Sequence, residues 1–325
     1  MKNSLKNKIT RLGSGFLAVV FIGAAFLGYN LFKESSYVAE KSVILERGGN
    51  ENFARFIVDK KISSSFATAK FAIEVMKLFG YRAKFGEYAL PDNVSLFEAI
   101  KIISSGKEVI HRITIPEGFS IVQVVRRLEE DENLLGKIKR IPREGSIMPD
   151  TYLFKYPTKR QEIISRAQEA MRQFIRREWP RRSPSCLLKN PNEALTLASI
   201  IEKETNIERE LVAGVYQQRL KIGMKLQSCP SVIYSHKRGD SLGRSLRYSD
   251  LKIDDPYNTY IRKGLPPNPI CNPGKDSIIA ALHPEETDNI FFVYGGEGKH
   301  IFSKTYDEHK RNIAKVRNVK VSEVR

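Results

Sequence analysis

Cysteine, histidine and tryptophan are scarce in this chain of 325 residues, which has three, five and one of them respectively. Cys186, Cys229 and Cys271 are an odd number in a large chain, so disulfide bonds are not the basis of its stability. No cysteines form a CxxC pair, and no histidines form an HExxH pattern. The sequence therefore predicts no metal site.

Signature motifs of several enzyme classes are also missing. No P-loop or GxGxxG motif indicates a phosphate site. The glycine-rich segment 295–298 precedes a histidine and a strand and does not open a helix. These absences argue against kinase, nucleoside triphosphatase and dehydrogenase chemistry, and we expect no cofactor.

One long apolar run stands near the N-terminus. Residues 12–32 contain no charged side chain and are numerous enough to cross the hydrocarbon core of a bilayer as a helix. The basic residues before the run are Lys2, Lys6, Lys8 and Arg11. By the positive-inside rule they predict a cytoplasmic tail, 1–11, with the rest of the chain outside the cytoplasm. A cleaved signal peptide is the alternative, but no small-residue cleavage site precedes the polar segment 34–36.

The chain is strongly basic, with a formal net charge of +17. A nucleic acid is one class of partner for such a surface, but the predicted topology puts the basic groups outside the cytoplasm. An anionic polymer or lipid headgroups fit better. The arginines around Trp179 are typical of a solvated helix face followed by a basic loop.

Residues 40–108 have the pattern of a small α+β module. A short strand (VILERGG), two helices and a strand-like segment (YRAKFGEYAL) follow one another. Ser65 begins the second helix and Gly80 ends it. Ser95 and Glu98 form a capping box for a further helix, which Gly106 ends.

Residues 109–325 predict a second, mixed α+β domain. Its strands are HRITIPEG and NIFFVYG, and its helices lie at roughly 121–128, 160–178, 211–220 and 277–282, with one more after Asn190. Segments 144–157, 226–234 and 256–269 are predicted to be loops, because each concentrates polar residues around proline.

The helix after Asn190 carries the clearest chemical signal. Ala194, Leu197 and Ile201 give it a buried face, and its end reads EKE. Glu202 and Glu204 are two residues apart, so they lie near opposite margins of that face and do not form a pair. A carboxyl held among Leu and Ile side chains should have a raised pKa, as a general acid needs. Solvated helix-end charges, paired with Lys203 or Arg209, are the alternative interpretation.

The predicted loops supply groups that bind sugars. Amides, hydroxyls and tyrosine rings stand there beside restrictive prolines. Turn formation alone would also explain them. His300 could orient a carboxylate, bind substrate or simply lie on the surface. Carboxyl-based hydrolysis of a sugar polymer needs a second carboxylate, and the candidates are Asp150, Asp250, Asp254 and Asp255. Without one, a lone glutamate can protonate the leaving oxygen and then take a proton from the sugar's own hydroxyl, giving an internal anhydro ring.

Several blocks of the chain stand out as sequence motifs: GEYALPDNVSLFEAIKIISSGK, ITIPEGFS, MPDTYLF, LASIIEKET, RLKIGMKLQSCPSVIY, PYNTY with GLPPNPICNPG, and GKHIFSKT with EH. These blocks resemble those of a known family, the membrane-anchored endolytic murein transglycosylases, or YceG-like proteins. They cover most of residues 83–310 in the family's order. The resemblance implies a single-pass protein of the bacterial inner membrane with an N-terminal transmembrane helix and a LysM-like module at 40–108. A catalytic domain at 109–325 would cut nascent peptidoglycan strands and leave 1,6-anhydro-N-acetylmuramic acid ends.

The resemblance also implies roles for individual residues. The family's catalytic glutamate corresponds to Glu204, a choice that helix phase alone cannot make, whereas Glu202 would orient or pair with nearby groups. Residues that would bind or support the glycan are Gln227, Ser228, Asn258, Thr259, Tyr260, Gly264, Leu265, Pro266, Pro267 and His300. We expect the membrane, glycan strands and cell-wall synthesis proteins as partners, and no nucleic acid.

Two positions depart from the family's pattern. Cys229-Pro230-Ser231 stands where many members have Asp-Pro-Thr, so position 229 is given no catalytic role. Asp255 replaces a serine that commonly precedes PYNTY. The alternatives for function are a two-carboxylate muramidase and a non-catalytic scaffold that binds glycan strands and cell-wall synthesis proteins.

Overall fold

The computed structural model describes the backbone of residues 2–322 and the side chains of residues 17–316. The chain folds into two compact units. One comprises Met1–His111 and Leu153–Pro157, and the other comprises Arg112–Tyr152 and Thr158–Arg325. Helices and two-stranded sheets make up the fold, which confirms the predicted mixed α+β class.

The first helix, α1, covers Lys2–Phe32 and includes the apolar run 12–32. The predicted tail 1–11 and the first five residues of the run lie outside the part of the chain whose side chains are described. Among the described residues, no helix is both long enough and apolar enough to span a membrane.

The other elements of the first unit form a small α+β arrangement. They are β1 (Val43–Leu45), α2 (Asn50–Asp59), α3 (Phe66–Leu78), β2 (Gly86–Tyr88) and α4 (Leu96–Ser105). The two strands pair antiparallel, with Val43 opposite Tyr88 and Leu45 opposite Gly86. Apolar side chains from the strands and from all three of these helices share one buried core.

Local signals in the sequence account for the ends of these helices. The Ser65 hydroxyl accepts a hydrogen bond from the amide of Thr68 and so caps α3. Ser95 and Glu98 form the capping box that was predicted for α4. Gly106 then ends α4 in the left-handed region, at φ 73°, where a residue without a Cβ is favoured.

The rest of the chain is mainly helical. Its elements are β3 (His111–Ile115), α5 (Ile121–Glu129), β4 (Asp150–Phe154), α6 (Arg160–Glu178), α7 (Pro191–Glu204), α8 (Arg209–Lys221), α9 (Cys229–Lys237), α10 (Lys275–Leu282), β5 (Phe291–Gly296), β6 (Lys299–Ser303) and α11 (Tyr306–Ser322). Strand β3 pairs with β4, and β5 pairs antiparallel with β6. Short 3₁₀ turns stand at Trp179–Arg181 and Asp250–Lys252.

Helix α7 is the centre of the second unit's core. Ala194, Leu197, Ala198, Ile200 and Ile201 are fully buried and pack with side chains of α6, α8 and α10, while Leu195 is partly buried. Asn190 caps the helix by accepting a hydrogen bond from the amide of Glu193. Ser199, also buried, donates to the carbonyl of Thr196 and accepts from the amide of Ile270, so its hydroxyl is satisfied. The helix therefore carries its last residue, Glu204, on a rigid support.

Two predicted loops are regular elements. Asp150–Phe154 is a strand, in which Tyr152 and Phe154 are buried while Thr151 and Leu153 are exposed. This alternation is the period of a strand, and it was outweighed in the sequence by the adjacent prolines. Cys229–Lys237 is a helix, and its Pro230 is compatible with it because proline lies in the first turn, where a missing amide hydrogen costs nothing. Helix α11 was not predicted.

Candidate active site

Glu204 is the last residue of α7, and its carboxyl is held by two hydroxyl groups. Tyr216 and Ser228 each donate a hydrogen bond to Oε1, at 2.8 Å and 2.7 Å. The residue as a whole is half-buried, but its carboxyl lies against these groups, and burial raises its pKa above the ordinary value of 4.5. The two hydrogen bonds oppose that rise without cancelling it. A raised pKa is what the sequence led us to expect of a general acid at this position.

Helix α8 supplies a buried cation beside this carboxyl. Tyr216 and Arg219 are three residues apart, so both lie on one face of the helix. Arg219 donates to the carbonyls of Leu226 and Ile290, and these hydrogen bonds hold its guanidinium in the core. Its positive charge lowers the pKa of Glu204, as does the neighbouring His300. These charges limit how far burial can raise that pKa.

The loop 256–261 fixes the position of Ser228. The amide of Ser228 donates to the Thr259 hydroxyl, at 2.9 Å, and the amide of Gln227 donates to the Thr259 carbonyl, at 3.1 Å. Asn258 is buried and donates to the carbonyls of Leu251 and Ile253, which precede the loop, while its oxygen accepts from the amide of Tyr260. Asn258 and Thr259 are therefore supporting residues.

A pocket of about 320 Å³ opens beside Glu204. Its lining residues are Glu204, Arg219, Gln227, Cys229, Tyr260, Phe291, Phe292, Tyr306 and His309. Among the described residues that line it, Glu204 alone carries a carboxyl group. The Cys229 sulfur lies 3.2 Å from the Tyr260 hydroxyl, and burial raises the pKa of this thiol, so it is protonated at neutral pH.

Glu202 lies in different surroundings from Glu204. Its Oε2 accepts hydrogen bonds from the amide of Gly274, at 2.9 Å, and from the Ser277 hydroxyl, at 2.7 Å. Both donors lie at the start of α10, where a carboxylate is also favoured by the helix dipole. The two glutamates therefore have separate partners, and Glu202 joins α7 to α10.

The structure places three other groups of predicted site residues, Gln227, His300 and segment 264–267, in different surroundings. Gln227 lines the pocket with an exposed side chain. The imidazole of His300 is buried and pairs with Glu208 through Nδ1, at 2.9 Å, so it does not contact Glu204 through that nitrogen. The segment 264–267 lines a separate pocket of about 640 Å³ with the start of α7, and it is not part of the Glu204 pocket.

Each candidate for a second carboxylate is paired with a cation. Asp150 pairs with Lys275, Asp250 with Arg244, Asp254 with Arg262 and Asp255 with Arg238. The side chain of Asp250 is also close to His236. None of the four lines the pocket that contains Glu204. The described residues also contain no group of three or more His, Cys, Asp or Glu side chains that could hold a metal ion.

Sequence reasoning did not select several residues that line this pocket or contact Glu204. They are Tyr216, Arg219, Phe291, Phe292, Tyr306 and His309. The three-residue spacing on α8 could have indicated the first two, because it puts a phenol and a cation on the face beside a buried helix. The aromatic residues of β5 were assigned only to a strand, and those of α11 depend on a helix that was not predicted.

The fold and pocket define a class of protein: a mixed α+β chain whose core helix ends in one shielded carboxyl. Residues 45–315 match the sequence profile of the YceG-like family. The chain belongs to this family, which confirms the resemblance of its motifs.

Curated relatives and a solved structure agree with this assignment. An endolytic murein transglycosylase of Bacillus subtilis (strain 168) is 29% identical over 333 residues, which cover 90% of each chain. A protein of the same name from Streptococcus pneumoniae (strain D39) is 29% identical over 289 residues, or 74% of this chain and 52% of that protein. A crystal structure of a yceG-like protein from Listeria monocytogenes superposes with a TM-score of 0.53 at 29% identity, covering 86% of this chain and 99% of that one.

Proposed function

We propose that this protein is an endolytic lytic transglycosylase of peptidoglycan, with Glu204 as its acid and base. The observation that carries the proposal is a single carboxyl group with a raised pKa in the lining of a polar and aromatic pocket. Its membership of the YceG-like family and the names of its relatives support the same activity.

The reaction needs one proton donor that later becomes a proton acceptor. Protonated Glu204 gives its proton to the oxygen that bridges N-acetylmuramic acid and N-acetylglucosamine. The bond from the muramic C1 to that oxygen breaks, and the electron pair leaves with the oxygen. The C6 hydroxyl of the same muramic residue then attacks C1 and loses its proton to the Glu204 carboxylate. A 1,6-anhydro ring forms, no water is consumed, and the carboxyl returns to its protonated state.

The neighbours of Glu204 suit both halves of this cycle. Burial favours the protonated form that begins the reaction. The hydroxyls of Tyr216 and Ser228, together with the charge of Arg219, stabilise the carboxylate that exists midway. A general acid and base of this kind contributes about 10² to 10⁴-fold to the rate.

Analysis of the products tests the reaction type. Glycan strands cleaved in heavy-oxygen water should give anhydro ends that contain no label and are lighter by one water than a reducing end. Glu204→Gln should lose at least about 10²-fold in rate while the chain remains folded. Glu202→Gln is the matched control and should lose less. Labelled reducing ends would instead support a two-carboxylate hydrolase, and strand binding without cleavage would support a scaffold.

We also propose that residues 12–32 anchor the chain in the bacterial inner membrane, with the pocket on the outer side. The charge-free run and the basic residues before it support this orientation. A pair of reporters that work on opposite sides of the membrane, each fused after Lys33, tests it. Activity of the cytoplasmic reporter alone would contradict the proposal, and release of the processed chain would favour a cleaved signal peptide.

Residues 40–108 are proposed to be a LysM-like module that holds glycan strands. A pocket of about 550 Å³ in this part of the chain supports the proposal. Arg47 lies over the ring of Phe85, with its guanidinium carbon 4.3 Å from the ring centroid, and both line the pocket. In a full-length Glu204→Gln chain, Phe85→Ala should reduce retention on sacculi, whereas Phe71→Ala, at another exposed ring, should not. We propose cell-wall synthesis proteins as further partners, to be sought by cross-linking in cells.

A further inference from the structure

One wall of the Glu204 pocket is built by the last elements of the described chain. Phe291 and Phe292 of β5 and Tyr306 and His309 of α11 all line the pocket. The imidazole of His309 stacks on the ring of Phe291, with centroids 5.2 Å apart and an interplanar angle of 20°. The ring of Tyr306 lies 5.8 Å from Phe291 and is 61% exposed. The wall thus presents an aromatic surface and one imidazole.

The Nδ1 nitrogen of His309 is buried, and no hydrogen-bond partner for it exists among the described residues. Buried polar atoms are nearly always paired, so an unpaired one in a pocket lining requires an explanation. By contrast, the imidazole of His300 is paired with Glu208 and is not available to a ligand in the same way. In the lining of this pocket, His309 is thus an imidazole whose Nδ1 has no partner among the described residues.

The charge state of His309 is set by the groups around it. Burial and the positive charge of Arg219 on α8 both lower its pKa below the ordinary value of 6.5. The other titratable groups of the pocket are Glu204 on α7, Cys229 on α9, Tyr260 in the loop and Tyr306 on its own helix. At neutral pH the imidazole is therefore uncharged, and a neutral imidazole has one donor and one acceptor nitrogen.

We propose that this wall is a saccharide subsite, in which Tyr306 packs against the face of one N-acetyl sugar and His309 hydrogen-bonds one of its hydroxyl or acetamido groups. The inference rests on the proposed function and deepens it. Sugar rings are bound by apolar packing on aromatic faces combined with a few placed polar groups. Glu204 provides the proton transfer, and the wall provides the orientation of the ring that reacts.

Binding of uncross-linked peptidoglycan strands to the full-length Glu204→Gln chain tests the subsite without any reaction. Adding His309→Phe keeps a ring against Phe291 but removes both nitrogens, and it should raise the Kd about tenfold, the effect of one hydrogen bond. His309→Gln should recover part of the loss, because it restores a polar group. Tyr306→Ala should weaken binding by a similar factor. His283→Phe, outside the pocket, is the matched control and should leave the Kd unchanged.

A second measurement separates a substrate contact from a purely structural role. With Glu204 intact, kcat/KM should fall on the acidic side as His309 becomes protonated, and His309→Phe should remove this acidic limb. Unchanged Kd values and an unchanged acidic limb in folded His309→Phe chains would overturn the subsite. That result is distinct from failure of the proposed function, which would appear as a wild-type chain that makes no anhydro ends.

Discussion

The hydroxyl of Ser228 can be removed from Glu204 with little other change. Although Ser228 occupies the position before α9, its hydroxyl makes no capping hydrogen bond to that helix. It donates to Glu204 Oε1 instead, at 2.7 Å. The backbone amide of Ser228 donates a hydrogen bond to the Thr259 hydroxyl, and its backbone carbonyl accepts one from the Ser231 hydroxyl. Both hydrogen bonds remain in Ser228→Ala. The substitution therefore acts mainly on the carboxyl of Glu204.

The size of the effect follows from the two protonation states. A hydrogen bond to a charged group contributes about 1.5 to 3 kcal/mol, and one to a neutral group about 0.5 to 1.5 kcal/mol. The difference between the midpoints of these ranges, about 1.2 kcal/mol, is the amount by which Ser228 favours the carboxylate, and it corresponds to roughly one pKa unit. Ser228→Ala should thus raise the pKa of Glu204 by about one unit, since only Tyr216 still donates to Oε1.

The assay is the pH dependence of glycan cleavage. As the pH rises, activity is lost when Glu204 gives up the proton needed for the first step, so a higher pKa moves the basic limb of the kcat profile upward by about one unit. Ser235→Ala is the control, because Ser235 lies on the same helix and donates to the carbonyl of Ser231. A basic limb that stays in place, or moves to lower pH, would refute the role assigned to this hydroxyl.

Three further predictions concern stability, each measured by urea denaturation. Burial raises the pKa of Glu144 to about 7 from 4.5, so protonation of this carboxyl favours the folded state. The resulting contribution to the free energy of unfolding, about 3 kcal/mol, is fully present below pH 4.5 and is lost as the pH rises through 7. Glu144→Gln should remove this pH dependence of stability between pH 5 and 8. Ser95→Ala should cost about 1 kcal/mol through the lost capping box, whereas an equal cost for Ser104→Ala would contradict that cause. Gly214→Ala should cost about 1 to 3 kcal/mol, because its Cβ would lie 2.1 Å from the Glu285 carbonyl oxygen, and a neutral result would exclude this close approach.

Local physical signals made much of the fold predictable. Ser65, Ser95 and Asn190 cap helices in the structure as the sequence indicated, since side-chain caps depend on residues only a few positions apart. The boundaries of α6 were predicted from the spacing of its apolar residues, which is also a short-range signal. Proline misled the prediction at β4 and α9, because its effect depends on whether it stands before, inside or at the first turn of an element.

The candidate site was predictable only in part, because most of its contacts join distant segments. The sequence could indicate Glu204 as a buried acid, with the family resemblance choosing it over Glu202. It could not indicate that Tyr216 and Ser228 share one oxygen of that acid, since twelve and twenty-four residues separate them from it. The family resemblance implied that segment 264–267 and Tyr260 bind the same glycan, but they line different pockets.

The volume of the Glu204 pocket limits how much of a glycan strand the catalytic site can contact. At about 320 Å³ it is at the lower end of the range for ligand sites, so it holds only a local stretch of a long polymer. Every disaccharide repeat offers the same groups to such a cavity. A catalytic pocket of this size cannot determine how far from the end of a strand the cut falls. Any such selection must come from other surfaces that bind the polymer.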